Sequence, residues 1–239
     1  MSEKCHLRPR RVNKSWHDRL EMDDLLQTLP PLHRLALAYA PAHARKATLA
    51  LFALDSRLAE IVRSASEPML AQIRLAWWRD MLGRGTSDRP LGEPLLEVLG
   101  AWQGEETALV ALIDGWEQLV GDESIDAQAM RAFCNGRGHA FAALARLLEC
   151  GDAEEMTHHA GEGWALADLA SRLSGSGECD AAMLLVREQG WQRIALPRAL
   201  RPLAVLYGLG ASAGLKGSGM APLSLATLLL AIRIGLLGR

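Results

Sequence analysis

An all-α fold is the prediction for this chain, and three features of the sequence make it. Leu and Ala dominate the apolar residues, which are 49% of 239, while only three Phe and two Tyr are present. Leu and Ala favour helix, and aromatic residues favour strand. Apolar residues recur at helical spacing from Pro31 onward, and no alternating pattern runs long enough to build a sheet. A bundle of about eight helices is the architecture these features imply.

The segment through Arg19 is basic, with Arg8, Arg10, Arg11 and Lys14. It reads as a solvated lead-in, or as a stretch attracted to an anionic membrane surface. No apolar core follows its first basic residues, so no secretory signal is expected. The first long helix is predicted to begin after Pro41, with Leu51, Leu54, Leu58, Ile61 and Val62 on one face. Glu67-Pro68 interrupts it, with Ser66 as the expected cap and Pro68 in the first turn of the next helix. That helix carries two apolar stripes, Leu70/Ile73/Trp77/Met81 and Leu75/Trp78/Leu82, which predicts a central position. Gly83-Arg84-Gly85 ends it. After a polar connection, helices are expected over Leu95–Trp102, Glu105–Val120, Ala127–Leu148 and Ala153–Ser174. The Ser174–Gly177 breaker precedes a short helix over Asp180–Gln189. Pro197, Pro202 and an expected loop over Gly208–Gly219 lead to a last helix near Pro222–Leu237. This segment is apolar on nearly every side, but it contains Arg233 and falls short of the roughly 20 residues that span a bilayer. It reads as a docking helix, with interfacial membrane contact as a second role.

Composition and motifs exclude several functions. A formal net charge of −2 gives no reason to expect nucleic acid. Cys5, Cys134, Cys150 and Cys179 are widely spaced without a CxxC pair, which implies reduced thiols and a cytoplasmic setting. The Gly208–Gly219 run matches no nucleotide-binding spacing, because Leu215 precedes Lys216 and no strand leads into it. His158 and His159 are adjacent, so on a helix they diverge; they are expected at the surface rather than on a metal. No Ser-His-acid or Cys-His set can be assembled.

The stretch Leu51–Asp80 carries a resemblance. Leu51-Phe52-Ala53-Leu54 is similar to the "LYAF" helix of the squalene/phytoene synthase family. The run Arg74-Leu75-Ala76-Trp77-Trp78-Arg79-Asp80 resembles a divergent branch of that family, which includes a mitochondrial complex I assembly factor. The resemblance implies an isoprenoid-synthase-type helical bundle over residues 29–239, preceded by a basic extension over 1–28. It further implies a site where two aspartates four residues apart hold magnesium against a diphosphate. In register, those positions here are Ala59 and Arg63. The second acidic motif of the family corresponds to Leu166–Pro197. Trp191–Pro197 resembles its closing Gly-Arg-x-x-Leu-Pro, and Arg172 matches its arginine. Ser174, Gly175 and Ser176 stand where metal ligands belong, and Phe133 stands at a tyrosine position.

Two acids remain near the first motif, Asp55 and Glu60. Five residues apart, they diverge by roughly 140° on a helix and cannot easily share a metal. The expectation is therefore no cofactor, and magnesium only for an active transferase. Asp55 is expected near the edge of the former active-site region, Ala59 and Arg63 facing it, with no pair of carboxylates close enough to bridge a metal. The expected ligand residues are Arg45, which matches a basic residue able to face diphosphate in active members, and Arg74, Trp77 and Trp78, with Asp80 pairing one of the arginines. The function implied is that of a non-catalytic protein binding an isoprenoid, a lipid or a partner protein, with peripheral membrane contact as an option. The alternatives are a divergent head-to-head prenyl transferase using Asp55 and Glu60, or a scaffold without ligand.

Overall fold

In a computed structural model, residues 22–90, 92–121, 124–215 and 224–238 are described, and every regular element among them is helical. The basic cluster at Arg8–Lys14, Cys5 and the Lys216–Gly219 run lie outside these residues. Residues 22–28 form a helix, and Leu25 and Leu29 are already buried, so the packed chain begins ahead of residue 29.

Helix α1 spans Pro31–Leu37, and α2 spans Ala42–Ser64, starting directly after Pro41. Leu51, Leu54, Leu58 and Ile61 are buried along α2 as the apolar period predicts, with Val62 half-buried, and burial runs all round the helix over Leu49–Leu54. Helix α3 (Pro68–Gly83) opens on a first-turn proline, but its N-cap is Glu67 with no side-chain bond, so Ser66 does not cap it. Its position also differs from expectation. Ala71, Leu75, Trp78, Met81 and Leu82 are buried against α2 and the helix Glu106–Glu117, while Met69, Leu70, Ile73 and Trp77 face outward. Among the described residues, neighbours cover one side only, so α3 lies at the periphery of the described helices with an apolar outer face.

Helix α4 (Pro94–Val98) runs into a 3₁₀ turn at Leu99–Trp102, where the Trp102 indole N–H donates to the Ala47 carbonyl at 3.0 Å. Helices α5 (Glu106–Glu117), α6 (Ala127–Leu147) and α7 (Glu154–Ala170) form the most extensively packed layer. Small residues allow that contact. A Cβ on Gly136 would stand 2.5 Å from the Ala111 carbonyl oxygen, and one on Gly161 would stand 3.1 Å from the Cα of Gly138. Helix α7 ends at Ala170, where the Ser171 hydroxyl donates to the Asp168 carbonyl at 2.7 Å.

Helix α8 spans Ser176–Glu188, and α9 spans Arg201–Leu215. The expected loop from Gly208 is therefore helix as far as Leu215. Gly208, Gly210 and Gly214 serve close packing rather than chain breaking, since a Cβ on each would strike Ile234, Ala167 and Trp191 respectively. Burial of Leu203–Tyr207 on the same helix outweighs the local glycine penalty, about 1 kcal/mol per residue. Helix α10 (Leu225–Leu237) is capped at its start by the Ser224 hydroxyl, which accepts from the Thr227 N–H at 3.1 Å. Gly238 closes it in the left-handed conformation at φ 77°, with its N–H on the Ile234 carbonyl at 2.7 Å. Among the described residues, no helix is long and apolar enough to cross a membrane.

The α5–α6 contact generates a test. Gly136→Ala pushes a methyl group into the α5 backbone and is expected to destabilise by about 1–3 kcal/mol. Gly100→Ala, with nothing within 4 Å of the new Cβ, is the control. Thermal melts should show a drop of roughly 2–4 °C per kcal/mol for the first, with little change for the second.

Candidate functional site

At the meeting point of α2, α5, α6 and α7 lies a cluster of buried charge. Arg137 projects from α6 with 3% of its side chain exposed. Its Nε donates to Asp55 Oδ1 at 3.0 Å, its Nη2 lies 2.8 Å from Asp55 Oδ2, and its Nη1 donates to Asp168 Oδ2 at 2.9 Å. Asp55 Oδ1 also accepts the Trp116 indole N–H at 2.8 Å. Asp168 Oδ1 accepts from Arg172 Nε at 2.9 Å and Nη2 at 2.8 Å, one helical turn on. Two aspartates and two arginines give a cluster with no net charge. The guanidinium also lies over the Phe133 ring at 4.8 Å and the Trp116 ring at 5.3 Å.

Each element supplies its residue by helical geometry. Asp55 falls four after Leu51 and three before Leu58, on the buried face of α2. Asp168 falls four after Trp164 on the buried face of α7, and Arg137 four after Phe133 on that of α6. Gly136 and Gly138 flank the arginine and bring its helix close to α5 and to α7, the second of which carries Asp168.

The electrostatics follow from burial and pairing. Burial alone would raise the Asp168 carboxyl, but Arg137 and Arg172 outweigh it and hold that carboxyl below the usual carboxylate range. Burial works against the Arg137 cation too, yet Asp55 and Asp168 outweigh it and strengthen its hold on the proton. His33 on α1 is fully enclosed, edge-on to Phe52 at 4.9 Å and to Trp164 at 5.7 Å, with its Nδ1 unpartnered. Its burial lowers its proton affinity further than the nearby Asp168 and Asp55 raise it. The buried Cys134 thiol is pushed up to about 12 by burial, despite Arg137 nearby, and makes a poor nucleophile.

The residues singled out from sequence are dispersed. Asp55 stands at the centre of the cluster rather than at an edge. Glu60 is exposed and pairs with Arg63, three residues on, so Arg63 faces solvent rather than the interior. Ala59 is half-buried beside the core. Arg45 is half-buried, Arg74 is exposed, and Trp77 lies on the outer face of α3 with its ring edge-on to the buried Trp78 at 5.0 Å. Arg79 pairs with Asp114 at 2.5 Å and Glu117 at 2.6 Å rather than with Asp80. His158 and His159 are half-buried rather than superficial, because α7 packs against α6. The ring of His158 lies edge-on to His139 at 4.7 Å, and its Nδ1 is 3.5 Å from Glu162. Arg137 and Asp168 were not anticipated. Their sequence signal was charged residues at helical spacing within otherwise apolar or small stripes.

Two carboxylates thus converge on one point, contrary to expectation, and the point is a guanidinium. The arrangement does not suit magnesium. Asp55 and Asp168 already direct both oxygens at arginine or tryptophan donors, and a metal needs those lone pairs. Among the described residues, no group of three or more His, Cys, Asp or Glu could hold a metal ion. A network of this kind positions helices and neutralises charge.

A family model described as squalene/phytoene synthase matches residues 33–178, more than half of the chain. That span includes His33, Asp55, Arg137, Asp168 and Arg172. No curated protein and no solved structure matches the chain.

Arg137→Met would leave two buried carboxylates without their cation, at an expected cost of about 3–5 kcal/mol in urea unfolding. Replacing the set together (Asp55→Leu, Arg137→Met, Asp168→Leu) should recover most of that loss. His33 predicts a pH effect. Its folded proton affinity is lowered, so the unfolded chain takes up a proton first as pH falls below about 6.5. Stability should decline through that range, with a further decline below about pH 4, where the unfolded chain protonates Asp168 before the folded chain does. His33→Phe should reduce the upper decline, leaving the share that His139 contributes, itself lowered by burial and the nearby His158, and leave the lower one in place.

Proposed function

The chain belongs to the squalene/phytoene synthase family, and we propose that within it the protein acts by binding rather than by prenyl transfer. The observation that carries this reading is the commitment of Asp55 and Asp168 to Arg137. Ionising a prenyl diphosphate needs positive charge gathered at the leaving oxygens. Here the interior acids are neutralised by an arginine of the chain itself, and Ala59 and Arg63 stand where aspartates hold magnesium in active members. The transferase alternative would assign catalysis to Asp55 and Glu60. One is buried and bonded three ways, and the other is paired at the surface, so the two do not meet.

In this reading the ligand is an isoprenoid or lipid, or the partner is a protein, as in the assembly-factor branch that Arg74–Asp80 resembles. Contact falls to Arg74 and Trp77 on the outer face of α3, where Met69, Leu70 and Ile73 are also exposed. Trp78 supports Trp77 from the core, and Arg45 acts from α2. A broad apolar outer face is unusual on a protein without a partner.

The test is turnover. Incubated with magnesium and farnesyl or geranylgeranyl diphosphate, the purified protein should release no diphosphate above background. Release that disappears in Glu60→Ala, which is exposed and removable without disturbing the core, would establish the transferase instead.

A further inference from the structure

The cluster leaves unused a cavity of about 380 Å³ between α9, α10 and the segment Trp191–Ile194. We propose that this cavity binds one single-chain anionic amphiphile, its tail among Trp191, Ile194, Ala211 and Leu230 and its head group at Arg193 and Arg233. The inference rests on the reading that this protein binds rather than transforms its ligand, and it assigns the ligand a place. All the lining residues lie between 191 and 238, beyond the 33–178 span that the family model matches.

Three observations carry the proposal. The first is charge: among the described residues two arginines line the cavity, no aspartate or glutamate does, and both arginines lie in exposed positions beside an apolar interior. That is the polarity of an anion on a hydrocarbon chain. The second is size, at the low end of the roughly 300–1,000 Å³ typical of small-molecule sites. It suits one chain rather than the two that a head-to-head condensation joins. The third is construction. The Tyr207 hydroxyl donates to the Gln192 carbonyl at 3.1 Å and accepts the Gln192 N–H at 3.2 Å. The Trp191 indole N–H donates to the Val186 carbonyl at 2.7 Å, which fixes the ring. A Cβ on Gly214 would strike that ring at 2.8 Å, and one on Gly208 would strike Ile234. The glycines of α9 therefore set the walls, and the hydrogen bonds hold them before any ligand arrives. On the outside of α10, Leu225, Leu229 and Leu236 form an exposed apolar stripe beside Arg233, a surface along which a hydrocarbon chain can enter.

The experiment uses the full chain and dansyl-undecanoate, a fluorescent single-chain carboxylate. Its emission should rise to saturation at one equivalent. Displacement by oleate, by farnesyl phosphate or by both distinguishes a fatty carboxylate from a prenyl phosphate as the source. Oleic acid methyl ester, without the charge, should compete at least about tenfold less well. Ala211→Trp, which fills the cavity, and the pair Arg193→Glu/Arg233→Glu, which reverses the charge at the head-group end, should each weaken binding by about tenfold or more. Circular-dichroism melts check that each variant folds, and the exposed charge pair serves if Ala211→Trp does not. Absence of saturable binding, or binding that folded variants leave unchanged, overturns the proposal. Diphosphate release alongside normal dansyl binding would remove the non-catalytic reading and leave the cavity standing.

Discussion

A guanidinium enclosed within a protein interior must be paired from more than one side, and Arg137 sets that condition for this fold. Moving such an ion out of water costs several kcal/mol, which is regained only with good geometry and full hydrogen bonding. Asp55 comes from α2 and Asp168 from α7, while Arg137 itself comes from α6. Three helices far apart in sequence are therefore held in one register. The aromatic faces of Phe133 and Trp116 complete the enclosure, with the Trp116 indole also donating a second bond to Asp55 Oδ1. A sliding motion of any one helix would separate a charge from its partner in a medium of low dielectric. Apolar packing alone tolerates such sliding much better.

The same condition shapes function. Magnesium-dependent chemistry on a diphosphate needs carboxylates whose lone pairs are available to a metal. Among the described residues two carboxylates are buried, Asp55 and Asp168, and both are paired with arginine. A guanidinium is a cation of fixed position with no acceptor lone pair, so it neutralises the acids and holds their oxygens in place. The thiol nearby offers no substitute, since burial keeps Cys134 protonated. Chemical interest therefore shifts outward, to surfaces the ion cluster does not occupy.

Much of the architecture was legible from local pattern. The apolar face of α2 and the proline start of α3 follow from periodicity and backbone preference, and the structure places them as expected; the break before α8 falls earlier than Ser174–Gly177, over 171–175, because Ser176 and Gly177 already belong to the helix. The expectations that failed were those decided by tertiary contact. Leu70, Ile73 and Trp77 have the spacing of a buried stripe, yet no helix among the described residues covers them, and spacing cannot say which neighbours exist. Gly208, Gly210 and Gly214 read as a loop because glycine weakens an isolated helix. In place they are where α7, α10 and Trp191 come closest. The ion cluster was the hardest to foresee, since Asp55, Arg137 and Asp168 are far apart in sequence. Each is a charged residue on an otherwise apolar or small face, and only together do they explain one another.

Helix α7 joins the two interior features of the molecule. Asp168 turns toward Arg137, while Gly163 and Ala167, on the side next to α9, meet Tyr207 and Gly210. Successive residues on a helix diverge by about 100°, so Ala167 and Asp168 serve different walls from adjacent positions. The charge network fixes the rotation of α7, and that rotation decides how closely α9 can approach and where Tyr207 meets Gln192. A rigid polar centre thus gives the outer cavity a fixed wall, although no residue of the cluster lines it. The division of labour is one of construction: the acids orient helices, while glycine and aromatic side chains, rather than carboxylates, face one another around the outer cavity.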